Sequence, residues 1–227
     1  MGAALLQTHF ESLLGRPDWQ FRPQPDLVPS GVPEVDAGGP FGLGGLPRGC
    51  LTEIVGPASS GRTSLLHAIL AGATARGEVC ALVDAEDCFD PASAAQAGVR
   101  LERLIWVRAA HNAEHALKAA DLLIQGGGFG LVAMDLGDTP AHTARRISLA
   151  SWFRLRRAVE HTPTMLVSLA RQSNAKTCAS LVIECGRRAA TWSGAPSVSR
   201  LLRGSEVRAT STHRRKQCSP VFTARAI

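Results

Sequence analysis

Residues 52–64, TEIVGPASSGRTS, set two glycines five positions apart, fill the gap with small residues, and follow them with a cation and two hydroxyls. Strand, glycine loop, helix is the layout of a phosphate-binding loop, whose pattern is G-x-x-x-x-G-K-[ST]. Gly56, Pro57, Ser59, Ser60, Gly61, Arg62, Thr63 and Ser64 are therefore the expected nucleotide contacts. Small side chains let the backbone N–H groups turn inward on phosphate oxygens, and the helix that follows adds the positive end of its dipole. Thr63 is placed to reach a magnesium ion. Arg62 stands where the pattern has Lys. The charge is kept, but a planar fork replaces a compact point charge. Nucleotide binding is expected, with weak or no hydrolysis.

Hydrolysis of a phosphate anhydride also needs a metal and a group that orients water. Asp135 closes the apolar run GLVAMD and is the natural magnesium partner. Glu86, just beyond the run EVCALVD, is placed to polarise the attacking water, and Asp90 to contact the nucleoside. Arg171 and Gln172 follow the run TMLVSL and are candidates to sense the γ-phosphate.

For these residues to meet, they must lie at one rim of one sheet. Apolar runs at 78–84, 103–107, 130–135, 164–169 and 178–184 alternate with helical patterns at 62–75, 91–98, 112–125 and 140–160. Strands alternating with helices predict an α/β fold, a mostly parallel sheet covered on both faces. Ligands then sit at the carboxyl ends of the strands. Gly56, Asp84, Glu86, Asp135 and residues 170–173 all fall there. Weak antiparallel strands are expected near 206–212 and 220–224.

The flanks differ from this core. Residues 3–15 read as a short amphipathic helix. Residues 16–33 carry five prolines and read as an extended arm with Trp19 and Phe21 as anchors. The expected organisation is an N-terminal helix and arm (1–29), a nucleotide-binding core (30–185) and a basic segment (186–227). That last segment holds nine Lys/Arg against one acid, while the whole chain is +6. A polyanion or an acidic partner is expected there. No apolar run approaches the ~20 residues of a membrane helix, and the opening MGAALLQTHFESLLGR, with no basic start, reads as a poor secretory signal. Six cysteines without a C-x-x-C pair predict buried free thiols in a reducing cytoplasm, and no zinc site.

The residues also carry a resemblance. SGVPEVD…GGLPRGCLTEIVGPASSGRTS resembles the start and phosphate loop of the RecA recombinase family, CALVDAEDCFDP its strand and catalytic-glutamate segment, and LVAMD its second nucleotide motif. The resemblance implies a RecA-like core using ATP and Mg2+, with Glu86 as the catalytic glutamate and Asp90 as the adenine-contacting acid. LLRGSEVRATSTHRRKQCSPVF is more loosely similar to the last strands of that core. It implies Arg214 and Lys216 as the basic residues that reach a neighbouring subunit's nucleotide. Ser93 stands where the family has a base-stacking ring, and residues 170–177 leave little room for a long DNA-binding loop. A shortened, motif-altered core looks most like the ImuA-type accessory proteins of damage-induced mutagenesis. That likeness implies translesion polymerase-like partners and a RecA filament in the cytoplasm, with no membrane. The alternatives are a DNA-dependent ATPase that binds single-stranded DNA, self-associates and exchanges strands, and a RecA-core ATPase of unrelated regulation.

Overall fold

The computed structural model describes residues 26–37, 44–193, 201–213, 216–218 and 221–225. The expected helix at 3–15, most of the arm with Trp19 and Phe21, and Arg214 lie outside the described residues.

The chain runs β1 (Leu27–Val28), α1 (Pro33–Asp36), β2 (Leu46–Pro47), β3 (Leu51–Val55), α2 (Arg62–Ala75), β4 (Cys80–Asp84) and α3 (Pro91–Gln96). It continues with β5 (Leu104–Arg108), α4 (Ala113–Gly126), β6 (Leu131–Asp135), α5 (Ala141–Ala144), α6 (Leu149–Val159) and β7 (Met165–Ala170). Strands β8 (Leu181–Ser193), β9 (Leu201–His213), β10 (Lys216–Cys218) and β11 (Val221–Arg225) complete it. Nine strands form one sheet in the order β10-β9-β8-β3-β7-β6-β4-β5, with β11 pairing the same strand β9. From β8 to β5 every pairing is parallel; β9, β10 and β11 are antiparallel. The expected fold class is what the chain adopts.

Alternating side chains divide the core into two faces. Ile54, Leu82, Ala133, Val167 and Ile183 pack with Leu65, Leu66, Ile69 and Leu70 of α2 on one. Leu51, Val55, Val83, Met134 and Leu166 pack on the other with Ala116 and Ala120 of α4 and Trp152 and Leu155 of α6. Strands covered on both sides read as unbroken apolar runs, as β4, β6 and β7 do.

Three expectations change. The single helix at 140–160 is two, α5 and α6, because Ser148 caps the second: its Oγ accepts from the Ser151 N–H at 3.1 Å. Ile147 therefore falls in the break, and Trp152, Leu155 and Val159 are the buried stripe. The strand at 178–184 is a short 3-10 turn, Lys176–Cys178, followed by a much longer strand that runs on through residues 185 and 186. The thiols are not uniformly buried: Cys80, Cys178 and Cys185 are, Cys50 is intermediate and Cys88 is exposed. Among the described residues no helix is long and apolar enough to cross a membrane, and no group of metal-binding side chains stands together.

Candidate functional site

The register puts the carboxyl ends of the parallel strands level. Val55 pairs with Ala170 and Glu184, Asp135 with Leu169, and Asp84 with Asp135. All the expected site residues on these strands thus share one rim. Strands lie about 4.8 Å apart, so Asp135 stands about 10 Å and the β4 end about 14 Å from the β3 end. Loops and long side chains must close that gap.

The loop at 56–61 is built for close approach. A Cβ at Gly56 would overlap the Cys185 carbonyl oxygen and Ser60 Oγ. Gly61 adopts φ +86°, the left-handed region, and a Cβ there would overlap Val207 of β9. Ser59 is also left-handed, at φ +60°. Ser60 is buried and its Oγ has no hydrogen-bond partner. The first turn of α2 has no side-chain cap, so its N–H groups remain available to an anion. Thr63 and Ser64 are exposed at that turn, as is Ser59 in the loop.

Arg62 is the surprise. Its side chain is 6% exposed. Nη1 donates to the Gly56 carbonyl at 2.5 Å, and Nη2 donates to the Gly137 carbonyl at 2.9 Å and to Asp138 Oδ1 at 3.3 Å. One guanidinium therefore ties the glycine loop to the segment after β6, spanning the gap between strand ends. Nε is buried with no partner. Arg171 reaches the same segment: Nε donates to the Gly137 carbonyl at 3.2 Å, and Nη2 lies 3.5 Å from Asp138 Oδ1. Gln172 accepts from Arg145 at 3.1 Å.

Asp135 sits beside this knot. A Cβ at Gly137 would lie 2.9 Å from Asp135 Oδ1 and 3.0 Å from Arg62 Nε, so the carboxylate and the guanidinium flank one point. Burial pushes the Asp135 carboxyl up to about 6, against the Gly137 N–H that it accepts at 2.7 Å; nearby Asp84 adds to the rise and Arg62 opposes it. A carboxyl so placed gains by meeting a cation.

The acids after β4 have other duties. Asp84 is buried and accepts from the Glu86 and Phe89 N–H groups at 3.2 and 2.9 Å and from Trp106 Nε1 at 3.4 Å, fixing the turn that presents Glu86. Glu86 Oε2 lies 3.1 Å from His111 Nδ1. Asp90 caps α3 through the Ala92 and Ser93 N–H groups, both at 3.1 Å, and accepts from Ser93 Oγ at 2.5 Å, so both its oxygens are engaged. Hydrogen bonding from Ser93 holds its carboxyl below the usual range.

Beyond the glycine loop, β8 and β9 form a basic cleft of about 390 Å³ lined by Arg187, Arg188, Arg208, Glu184 and Cys185. A register shift between Arg187 and Ala189 leaves Arg188 as the extra residue of a β-bulge. Such a bulge breaks the strict alternation and re-aims a side chain, and Arg187 and Arg188 both line the cleft. Lys216 sits in β10.

Sequence reasoning missed Gly137 and Asp138, which hold Arg62 and Arg171, and His111, which holds Glu86. It also missed Glu53. An acid inside the apolar run LTEIV was the available signal for Glu53; LGDTP directly after Asp135 was that for Asp138.

A parallel sheet bearing a glycine loop, an uncapped helix start and a buried acid at one rim defines a phosphate-loop α/β protein. Residues 18–143 match the RecA N-terminal domain family model, and the chain belongs to that family. It is 43% identical over 110 residues to Protein RecA of Methylococcus capsulatus, covering 48% of this chain and 31% of that protein. It is 41% identical over 110 residues to Protein RecA of Bifidobacterium breve (48% and 27%), and 44% over 109 residues to that of Cutibacterium acnes (48% and 30%). The chain thus matches less than a third of the length of these curated relatives.

Proposed function

We propose that this chain is a RecA-like accessory protein of DNA repair, ImuA-type in character, which serves damage-induced translesion synthesis and turns ATP over slowly or not at all. The observation that carries the reading is the Arg62 guanidinium, buried and bound to the Gly56 carbonyl, the Gly137 carbonyl and Asp138. In this pose the loop's cation is committed to closing the cradle. A γ-phosphate would have to displace it from two carbonyls and an acid.

The residues fit a nucleotide in other respects. The unpartnered Ser60 Oγ and Arg62 Nε and the uncapped helix start suit phosphate oxygens. Mg2+, held through Thr63 and Asp135, would neutralise charge on the phosphates. Glu86 would orient water once released from His111, Asp90 would meet the base by its exposed edge, and Arg171 or Gln172 would register the γ-phosphate. Arg214 and Lys216 would face a neighbouring subunit if the chain self-associates. The basic cleft at Arg187, Arg188 and Arg208 supports contact with an anionic partner, either single-stranded DNA or an acidic surface of a translesion polymerase-like protein or a RecA filament. On this reading the protein works in the cytoplasm.

A second reading, a DNA-dependent ATPase and recombinase, is favoured by Asp135 and Glu86 standing at the rim that bears the glycine loop. Steady-state ATPase with and without single-stranded DNA, beside an ATP-binding titration, separates the two. The accessory reading expects weak binding and no DNA-stimulated turnover. It also expects Arg62→Lys to bind ATP at least tenfold tighter, because a lysine ammonium is not held as a fork across two carbonyls. DNA-stimulated turnover by the unaltered chain would overturn it.

A further inference from the structure

The sheet holds one buried acid whose partners lie far along the chain. Glu53, in the middle of β3, is fully buried. Its Oε1 accepts from the Asn174 and Ala175 N–H groups, both at 2.9 Å, and its Oε2 accepts from Ser173 Oγ at 2.6 Å. Three donors converge on one carboxylate from a segment about 120 residues away. A buried carboxylate is retained against its desolvation cost only with such partners.

We infer that Glu53 is a positioning residue: it fixes the Arg171–Gln172 segment to the strand that carries the glycine loop. The geometry makes a closed circuit. Glu53 lies three residues before Gly56 and grips residues 173–175, directly after Arg171 and Gln172. Arg171 in turn holds the Gly137 carbonyl and Asp138, which are also the anchors of Arg62. Arg62 closes the circuit on the Gly56 carbonyl. The loop, the segment after β6 and the segment after β7 are therefore held to one another at three points, and Glu53 is the only one set inside the sheet. A shift of the glycine loop must carry the Arg171 segment with it or break these three hydrogen bonds, two of them buried.

Glu53 serves the nucleotide site through Arg171, so its effect on ligand discrimination rests on the proposed function. Its effect on the segment does not. The test uses the full chain with Glu53→Ala, Glu53→Gln and Ser173→Ala. Gln keeps an acceptor for the two backbone N–H groups, and Ser173→Ala removes one donor without burying a new group.

Amide exchange is read first, without nucleotide. Glu53→Ala is expected to speed exchange at Asn174 and Ala175 at least tenfold while β4 and β6 keep their protection; Glu53→Gln restores most of that protection. Unchanged exchange at Asn174 and Ala175 would overturn the inference, as would equal loosening of the whole sheet. If Glu53→Ala does not fold, Ser173→Ala decides: faster exchange at Asn174 and Ala175 alone supports the inference, and no change there sinks it. ATP and ADP titrations follow. The ratio of ADP to ATP dissociation constants is expected to fall about threefold in Glu53→Ala and to recover in Glu53→Gln; an unaltered ratio would overturn the role in discrimination. Failure of the unaltered chain to bind either nucleotide counts against the proposed function alone, since the exchange result stands without it.

Discussion

The two halves of the strand-end rim treat charge in opposite ways. The half over β4, β5 and β6 is acidic, and its acids are almost all engaged inside the protein. Asp84 holds a turn, Asp87 pairs with Arg108, Asp90 caps a helix, and Asp138 receives Arg62 and Arg171. The half over β8 and β9 is basic, and there Arg187, Arg188 and Arg208 make no ion pair with any described residue. Acids at the first half shape the fold; cations at the second remain open to a ligand. The glycine loop lies between, and Arg62, with Arg171 beside it, is drawn onto the acidic side. A charge at a rim is thus informative about binding only after its internal partners have been counted.

The contrast breaks most visibly at Asp84. Replacing it with Ala would leave two backbone N–H groups and the Trp106 N–H without their acceptor in a half-buried setting. Each orphaned donor costs about 1–3 kcal/mol, so a loss of about 3 kcal/mol or more is expected in denaturant unfolding. The aromatic support of the same turn should loosen with it. Phe89 lies edge-on to Trp106 at 5.3 Å, and Arg108 sits 5.4 Å from the Trp106 ring centre. A loss under 1 kcal/mol would mean that the acidic half is not structural.

Asp135 sharpens the contrast because its sign is reversed. Burial raises its carboxyl to about 6 from an ordinary 3.8. Below pH 4 the group is protonated folded and unfolded alike and costs nothing. As pH rises from about 4 to 6 the unfolded chain releases the proton first, so stability falls across that window and stays lower above it. Asp135→Asn should remove this slope and stabilise the unliganded protein above pH 6 by up to about 3 kcal/mol. Thermal melts at pH 4 and pH 7 measure it. An acid whose ionisation destabilises the fold, where Asp87 and Asp90 on the same half are held below their ordinary range, is the one with a reason to await a cation.

Most of this rim was legible in the sequence, and the rest was not for definable reasons. Glycine spacing and apolar runs are local signals, so the loop, α2, β4, β6 and β7 could be read with little error. The targets of Arg62 and Glu53 lie about 75 and 120 residues away in sequence, and no local pattern encodes such pairings. The split between α5 and α6 was hidden because helical periodicity continues through residues 145–148, while the stop depends on one hydroxyl, Ser148. Only the start of β8 was read as strand, and β9 looked weak, because Arg, Ser and Thr dilute the apolar alternation of the rest. They owe their length to pairing with each other along nearly their whole extent, and the bulge that gathers two arginines is a property of that pairing.

The smallest effect on stability should come from the basic half. With no ion pair to lose among the described residues, Arg187→Ala, Arg188→Ala and Arg208→Ala should each leave the unfolding midpoint close to that of the parent, as surface substitutions do. Their effect should appear in binding to a single-stranded oligonucleotide. For single strands the slope of log affinity against log salt is about 0.7 per phosphate contact, so each substitution should flatten it by about that amount. A matched pair of titrations at low and moderate salt, for the parent and the three variants, is sufficient. If the oligonucleotide affinity is salt-insensitive and untouched by all three, the cleft does not read phosphate. Its cations would then be available to carboxylates on a protein surface, where a rim charge alters association rate more than affinity. If instead the variants unfold early, the arginines are structural after all and the two halves of the rim do not differ in kind.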